Sequence, residues 1–299
     1  MMRILAVLAV CLGVLTASAL DCSQCGRAVQ GKYLTANGKN FCSETCYEQT
    51  LPKCALCGRP FREGIQIAEY PDKVYCKECG AKPTCFNCRL PNDCEKLDDG
   101  RHICRTCKAD AIFDQARAQE IFDQVRERMR NDLDLGTDRK IHFYLIGLPE
   151  LEKRSPGETP PGGELGLYHY SFTEVTTTEK KYPWSKSRDS VKITNERFAI
   201  YALYGLTRAR LIEVCAHELA HDWMQKNYPR IRDLKLREGF AEYVATRVNT
   251  LYGNGFLNTR IEKNPDPVYG GGYREIAAYV RLHGFNGLLE HFAELNGKG

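Results

Sequence analysis

The residues best placed to do chemistry are His217, Glu218 and His221, in the segment HELAH at 217–221. The histidines stand four apart, so on a helix they share one face and two imidazoles can grip a single Zn²⁺. Glu218, between them in sequence, can take a proton from a water on that metal. The pattern is the HExxH signature of zinc hydrolases, and it needs a third ligand to close the site.

A glycine three residues and a histidine six residues beyond the second His would supply that ligand locally, as in metzincins. Those positions hold Met224 and Asn227, so this arrangement is excluded. The alternative is a carboxylate from a second helix, a His₂Glu site. The downstream segment LKLREGFAEYVATRV, 234–248, has Phe240, Val244 and Val248 at four-residue spacing, with Leu236 and Ala241 on the same apolar side. Pro229 ends the HELAH helix, and Glu238 then falls near the start of an antiparallel partner. Glu242, one turn further on, is either a solvated helix residue or a carboxylate that holds the outer nitrogen of a ligand histidine. The HELAH helix has Thr207 as its N-cap, and Leu211, Ile212, Val214, Cys215, Leu219, Trp223 and Met224 as a broad apolar surface. Cys215 belongs to that surface rather than to a metal site.

A second constellation fills the N-terminal third. Of 15 cysteines, twelve come in pairs: Cys22/Cys25, Cys42/Cys46, Cys54/Cys57, Cys76/Cys79, Cys85/Cys88 and Cys104/Cys107. Each successive foursome fits a Cys₄ zinc ribbon or half of a LIM-type module, two thiolate knuckles closing a tetrahedron. Gly26, Gly58 and Gly80 beside knuckle cysteines suit tight turns. A module of about 30 residues buries too little apolar surface to fold unaided. Zinc supplies about 10–16 kcal/mol to such a unit. Disulfides are the alternative for an exported chain. Close CxxC pairs favour metal, because a CxxC bridge is seldom structural. Cys94 has no partner in this scheme.

At 299 residues and net charge +4, the chain has room for two or three units, and no Lys/Arg-rich block points to nucleic acid. Met1-Met2-Arg3, the apolar run Ile4–Leu15 and Ala17-Ser18-Ala19 read as a cleaved secretory signal, with Cys11 removed alongside it. The run is too short for an ordinary transmembrane helix. The expected location is therefore secreted or periplasmic, with no stable membrane span after cleavage.

The expected organisation is a signal at 1–19, a first Cys₄ zinc ribbon at 20–51, a LIM-like double zinc module at 52–108, a connecting helix at 109–135 and a hydrolase domain at 136–299. Residues 108–134 form an amphipathic helix, with Ile112, Ala116, Phe122, Val125, Met129 and Leu133 apolar. KIHFYLIGL, 140–148, reads as a buried strand, 165–178 as a strand pair or hairpin and 191–204 as another strand or a strand running into helix. The stretch around Ser155–Gly163 and that from Pro265 to Gly272 read as loops. Helices follow from Arg274 to Leu282 and from Asn286 to Leu295. The fold class is α+β and zincin-like, a small sheet beside two metal-bearing helices, preceded by tandem Cys₄ modules.

Cysteine modules, a linking helix, HELAH with Glu238-Gly239, and Asp266-Pro267-Val268-Tyr269-Gly270 together resemble the LIM-domain zinc metallopeptidases known as plant organ-size regulators. The resemblance runs from about Pro52 to the C-terminus. It implies a gluzincin-like peptidase domain, with His217, His221 and Glu238 as ligands of one catalytic zinc, three further structural zincs, and Glu218 as the base. Tyr269 matches a family tyrosine; it or Tyr273 is a candidate hydrogen-bond donor to the developing oxyanion, loop packing being the alternative. The plant proteins are intracellular and ubiquitin-dependent. The secretory leader here leaves no place for their ubiquitin-binding segments, so that control is not carried over. The first module departs from LIM spacing and has Cys where a LIM module often has His, which suits LIM-like ribbons in a secreted bacterial relative.

The function expected is cleavage of peptide bonds in protein substrates, with the cysteine modules recruiting a partner or substrate. The alternatives are a LIM-type interaction scaffold with an inert peptidase-like domain, and a zinc hydrolase of a non-peptide bond.

Overall fold

The computed structural model describes residues 20–29, 31–67, 70–155, 163–179 and 188–298. The expected signal, with Cys11, and residues 156–162 of the expected loop lie outside the described residues. The chain forms two compact units. One runs to Ile65 and adds Val74–Gly80; the other comprises Gln66–Lys73 and everything from Ala81 onward.

In the first unit, β1 (Leu34–Ala36) and β2 (Lys39–Phe41) form a hairpin that turns through Asn37 and Gly38, at φ 51° and 72°. Two successive left-handed residues give the turn whose twist matches the strands, which is why Asn-Gly stands there. Helix α1 (Glu44–Glu48) follows, capped by the Ser43 hydroxyl. The second foursome is built on β3 (Gly64–Ile67), β4 (Tyr70–Cys76) and α2 (Lys77–Gly80). Both first knuckles use one turn: the amides of Gly26 and Gly58 donate to the carbonyls of Cys22 and Cys54 at 2.8 and 2.9 Å, each glycine at φ 72°. Gly80, expected to be a turn glycine, has a different reason. It lies in α2, where a Cβ would stand 2.6 Å from the Ile65 side chain.

The second unit opens with the third foursome, on β5 (Cys94–Lys96), β6 (His102–Cys104), α3 (Arg105–Ala109) and β7 (Ala111–Ile112). Its knuckle repeats the same turn with Arg89, at φ 61°, in the glycine position. A side chain there costs about 1 kcal/mol. The expected double module at 52–108 is thus divided between the two units.

The remaining elements are α4 (Gln115–Leu133), β8 (Ile141–Ile146), α5 (Leu148–Arg154), β9 (Gly166–Glu179), β10 (Arg188–Leu203), β11 (Leu206–Thr207), α6 (Arg208–Asn227), α7 (Leu234–Leu251), a 3₁₀ turn, α8 (Asn258–Glu262) and α9 (Tyr269–Lys298). Helix α4 does not merely connect. It is capped by Asp114 and buries Ala118, Ile121, Phe122, Val125 and Met129, packing on α6 and β8. Ala116, expected on the apolar side, is exposed.

The sheet order is β8-β10-β9, with β10 parallel to β8 and antiparallel to β9. The stretch expected to hold a hairpin is a single long strand, β9, and its partner β10 has a bulge between Thr194 and Arg197, where Asn195 sits at φ 54°. Strand β8, expected to be buried, alternates. Ile141 and Phe143 enter the core while His142 and Tyr144 are exposed. Its outer edge is closed by one side chain: the Gln115 amide donates to the Phe143 carbonyl at 3.1 Å and accepts from the Leu145 amide at 2.7 Å. Among the described residues β9 has β10 as its one strand neighbour.

Helices α6, α7 and α9 stack in turn. Phe240 is the hub, its ring 5.5 Å from Trp223 and 5.3 Å from Phe292. Residues 270–272, expected to be loop, begin α9, because their lack of side chains permits a backbone contact. A Cβ on Gly239 would stand 2.3 Å from the Gly272 carbonyl carbon, and one on Gly272 would stand 2.4 Å from the Lys235 carbonyl oxygen. Gly284, at φ 75°, breaks α9 between the two C-terminal helices expected. No helix among the described residues is long and apolar enough to cross a membrane.

Candidate active site

Helix α6 begins at Thr207, whose hydroxyl accepts from the Arg210 amide at 3.3 Å, and it ends just before Pro229. Its third turn presents His217 and His221 on one face. Helix α7 starts at Asp233, which caps the Leu236 amide at 2.8 Å, and it brings Glu238 opposite. The His217 Nε2 lies 3.1 Å from the His221 Nε2 and 3.1 Å from the Glu238 Oε2; the His221 Nε2 lies 3.4 Å from that oxygen. Ligand bonds of about 2.0–2.1 Å in a tetrahedron set edges of about 3.3–3.4 Å. The three donor atoms therefore fit one zinc ion without rearrangement.

The electrostatics agree with a cation site. Burial works against the carboxylate form of Glu238, yet the charges and hydrogen bonds of His221 and His217 outweigh it and hold the group well below the ordinary range. Burial likewise opposes the charged form of His217, but the Glu238 bond and the carboxylates of Glu218 and Glu242 push it up to about 10. The carboxylates of Glu218, Glu238 and Glu242 crowd these imidazoles with negative charge, which is the balance a divalent ion corrects.

Glu218 is 6% exposed, and its burial raises its carboxyl above the usual value. A base tuned upward in this way can take a proton and return it. Two residues not foreseen from sequence seat it. The Tyr168 backbone acts on its carboxylate against that burial, favouring the charged form. Gly166 makes room: a Cβ there would lie 2.9 Å from the Glu218 Oε1 and 2.4 Å from the Val214 Cγ1. Tyr168 is held at its other end by Asp222, one turn beyond Glu218, through an O–H bond of 3.1 Å. Asp222 is fully buried and also accepts from the Thr137 hydroxyl at 2.5 Å and from Arg139 at 3.2 Å. The edge strand is thus fastened to the HELAH helix at two points. Spacing could have placed Asp222 on the Glu218 face; nothing local announced its partners.

Glu242 is placed otherwise than either expectation. It is half-buried, and its carboxyl is raised by that burial. It feels His217, Glu213, Arg260 and Arg210 by charge, and no hydrogen bond joins it to either histidine among the described residues. Tyr269 stands at the start of α9, its phenol raised by burial and by the charges of Glu238, Glu164, Glu218 and Glu242. The Tyr273 phenol is raised by burial and by the charges of Glu262, Tyr243 and Glu242, with Thr246 acting against them. Of the charges acting on Tyr269, those of Glu238 and Glu218 belong to this site. Cys215 is fully buried, in the core.

The other metal-competent groups are the three cysteine foursomes: Cys22, Cys25, Cys42 and Cys46; Cys54, Cys57, Cys76 and Cys79; Cys85, Cys88, Cys104 and Cys107. In each, the sulfurs lie within 4.8 Å of one another. Cys42 Sγ is 3.6 Å from Cys25 and 3.5 Å from Cys46, close to the roughly 3.8 Å edge of a tetrahedron with 2.3 Å Zn–S bonds. Backbone N–H groups of Cys25 and Cys42 hold the Cys22 thiol down at about 6. Burial opposes the same effect at Cys54, where the amides of Cys57, Cys76 and Leu56 prevail, again at about 6. Amides that favour thiolate favour a metal ligand. Cys94 lies opposite Cys104 in the β5–β6 ladder, its thiol raised to about 11 by burial and by the nearby Cys85 and Cys104.

Fold and sites together define a protein of tandem Cys₄ zinc-binding modules followed by a mixed α/β domain. The proteins it is similar to include plant proteins of the DA1 group and a LIM domain-containing protein. Protein DA1 of Arabidopsis thaliana is 24% identical over 331 residues, covering 90% of this chain and 61% of that protein. Protein DA1-related 7 of the same plant is 26% identical over 242 residues, covering 74% of this chain and 43% of its own length. The LIM domain-containing protein HDR3 of Oryza sativa subsp. japonica is 25% identical over 254 residues, covering 75% and 50%. The chain spans about six-tenths of the length of DA1. No family model matches it, and no solved structure does.

Proposed function

We propose that the second unit is a zinc-dependent peptidase that cleaves protein substrates. The observation that carries this reading is the convergence of His217, His221 and Glu238 on one point, with the buried carboxyl of Glu218 one residue from the first ligand. Zinc held there would supply a Lewis acid, polarising the scissile carbonyl and lowering the pKa of a water towards about 7. Glu218 accepts the proton of the attacking water and passes it to the leaving amine. Tyr269, whose phenol feels the charges of Glu238 and Glu218, stabilises the charge that develops on the carbonyl oxygen. Among the described residues β9 pairs on one side only, and Gly166 brings it against Glu218, so an extended substrate can add there as a strand. The first two cysteine modules, each holding a structural zinc, recruit the substrate or a protein partner. The order of charge, apolar run and small residues in the leader supports action outside the cytoplasm, secreted or periplasmic.

The decisive comparison is digestion of a denatured protein library by wild type and by Glu218→Gln, with zinc content measured on both. Loss of cleavage by about 10²–10⁴-fold with metal retained supports the base assignment. Equal cleavage by both proteins sinks it, and no cleavage by either leaves a scaffold.

A further inference from the structure

We propose that the third cysteine cluster is a buttress of the catalytic helix, and that Asn87 is the positioning residue that fixes where α6 begins. Asn87 stands in the knuckle between Cys85 and Cys88 and is 2% exposed. Its amide reads the chain just before α6 at both ends. The Nδ2 donates to the Gly205 carbonyl at 2.8 Å, and the Oδ1 accepts from the Thr207 amide at 2.9 Å. A side chain spanning residues 205 and 207 in this way imitates a neighbouring strand.

The rest of the module completes the grip. Strand β7 pairs with β11, Leu206 opposite Ile112 and Thr207 opposite Ala111. The Gly205 amide donates to the Ile112 carbonyl at 2.6 Å and the Arg208 amide to the Asp110 carbonyl at 3.2 Å. The Arg101 guanidinium lies 4.2 Å from the Phe86 ring and 4.8 Å from the Tyr204 ring, and donates to the Tyr204 carbonyl at 2.8 Å. Each residue from Tyr204 to Arg208 is therefore bonded to the module. Thr207, held by Asn87, is also the residue that caps α6.

A helix transmits such a constraint. His217 lies ten residues beyond Thr207, roughly 15 Å along a rigid rod, so a change at the cap moves the ligand face as a body. The position of Asn87 depends in turn on the cysteines that flank it. The third foursome fits zinc, its Cys85 sulfur fully buried and accepting from the Cys104 amide at 3.3 Å. In this assignment its metal orders the catalytic helix rather than a docking surface. The coupling of this cluster to hydrolysis rests on the peptidase reading; the ordering of α6 does not.

The test is hydrogen exchange on the full, zinc-loaded chain, comparing wild type, Asn87→Ala and, as a control in the same module, Lys108→Ala, whose partner Glu95 is exposed. Asn87→Ala is expected to exchange about tenfold faster across residues 205–215, the scale of an unsatisfied buried group, with α4 unchanged. Its His₂Glu site should also lose zinc before the Cys22–Cys46 site does. Lys108→Ala should match wild type. Asn87→Asp, which keeps the acceptor for Thr207 and loses the donor to Gly205, carries the same local signature and decides the matter if Asn87→Ala does not fold. Wild-type exchange at 205–215, or acceleration spread equally over α4, overturns the proposal. Neither readout requires hydrolysis, so a wild-type protein that cleaves nothing would remove the peptidase assignment and leave this one standing.

Discussion

Gly166 on the edge strand and Glu218 on the HELAH helix are in direct contact, with no space between the backbone of one and the carboxylate of the other: a Cβ at 166 would lie 2.9 Å from the Glu218 Oε1 and 3.1 Å from its Cγ. The glycine is therefore part of what sets the position of the Glu218 carboxylate.

Gly166→Ala should displace that carboxylate while leaving His217, His221 and Glu238 in place. A misplacement on the order of 1 Å lowers kcat by about 10²-fold. Steady-state kinetics with zinc analysis would show a fall in kcat larger than any change in KM, at full metal content. A variant with wild-type kcat would mean that Glu218 does not depend on this contact.

The crossing of α7 and α9 at Gly239 and Gly272 carries a similar demand. Gly272→Ala forces the helices apart, at a cost of about 1–3 kcal/mol for overpacking. Glu238 adjoins the crossing, so zinc affinity at the His₂Glu site should fall by about 10–100-fold, as for loss of a supporting contact. Calorimetric melting and competition with a chelator measure the two effects. Unchanged affinity would separate the crossing from the ligand.

Asp99 gives the third cysteine module a pH dependence. Burial pushes its carboxyl up, but Arg101, at 2.7 Å, and the Leu148 amide, at 3.0 Å, outweigh it and hold the pKa below the ordinary carboxylate value. A group with a lowered folded pKa contributes stability that is present above its unfolded pKa of about 3.9 and lost as pH falls through the folded value. The second unit should therefore lose stability more steeply below about pH 4 in wild type than in Asp99→Asn. Denaturant titrations from pH 6 to pH 3 decide this; parallel curves for the two proteins would count against it.

Metal analysis of the purified chain should find four zinc ions, three in the cysteine foursomes and one at His217, His221 and Glu238. Chelation should unfold the first unit, because modules of this size depend on their metal. Circular dichroism and thiol titration follow both. A single zinc with no reactive thiols would replace the cysteine sites by disulfides.

The meeting of His217, His221 and Glu238 was readable because its parts are local. His217 and His221 share a face through helical spacing alone, and Glu238 begins a segment with its own apolar period. The paired cysteines declare themselves in the same way. What escaped notice lies in contacts between distant residues. Asn87 bonds to partners 118 and 120 residues away, and no pattern around it says so. The long strand β9 was expected to fold back on itself, since its alternation contains both candidate faces and its true partner lies beyond residue 188. The glycines at 270–272 looked like loop because glycine usually signals a turn; here they make way for another helix.

Gln115 has a consequence for how this sheet can grow. Its amide stands where a further strand would have to pair with β8, so enlargement is one-sided. Among the described residues, a chain that joins the sheet has β9 open to it, beside the Glu218 carboxylate. A second copy offering a strand there would stand on the same ground as a substrate. On the proposed peptidase reading, self-association through this sheet and turnover would then be mutually exclusive, and crowding would act as a competitive inhibitor made of the protein itself.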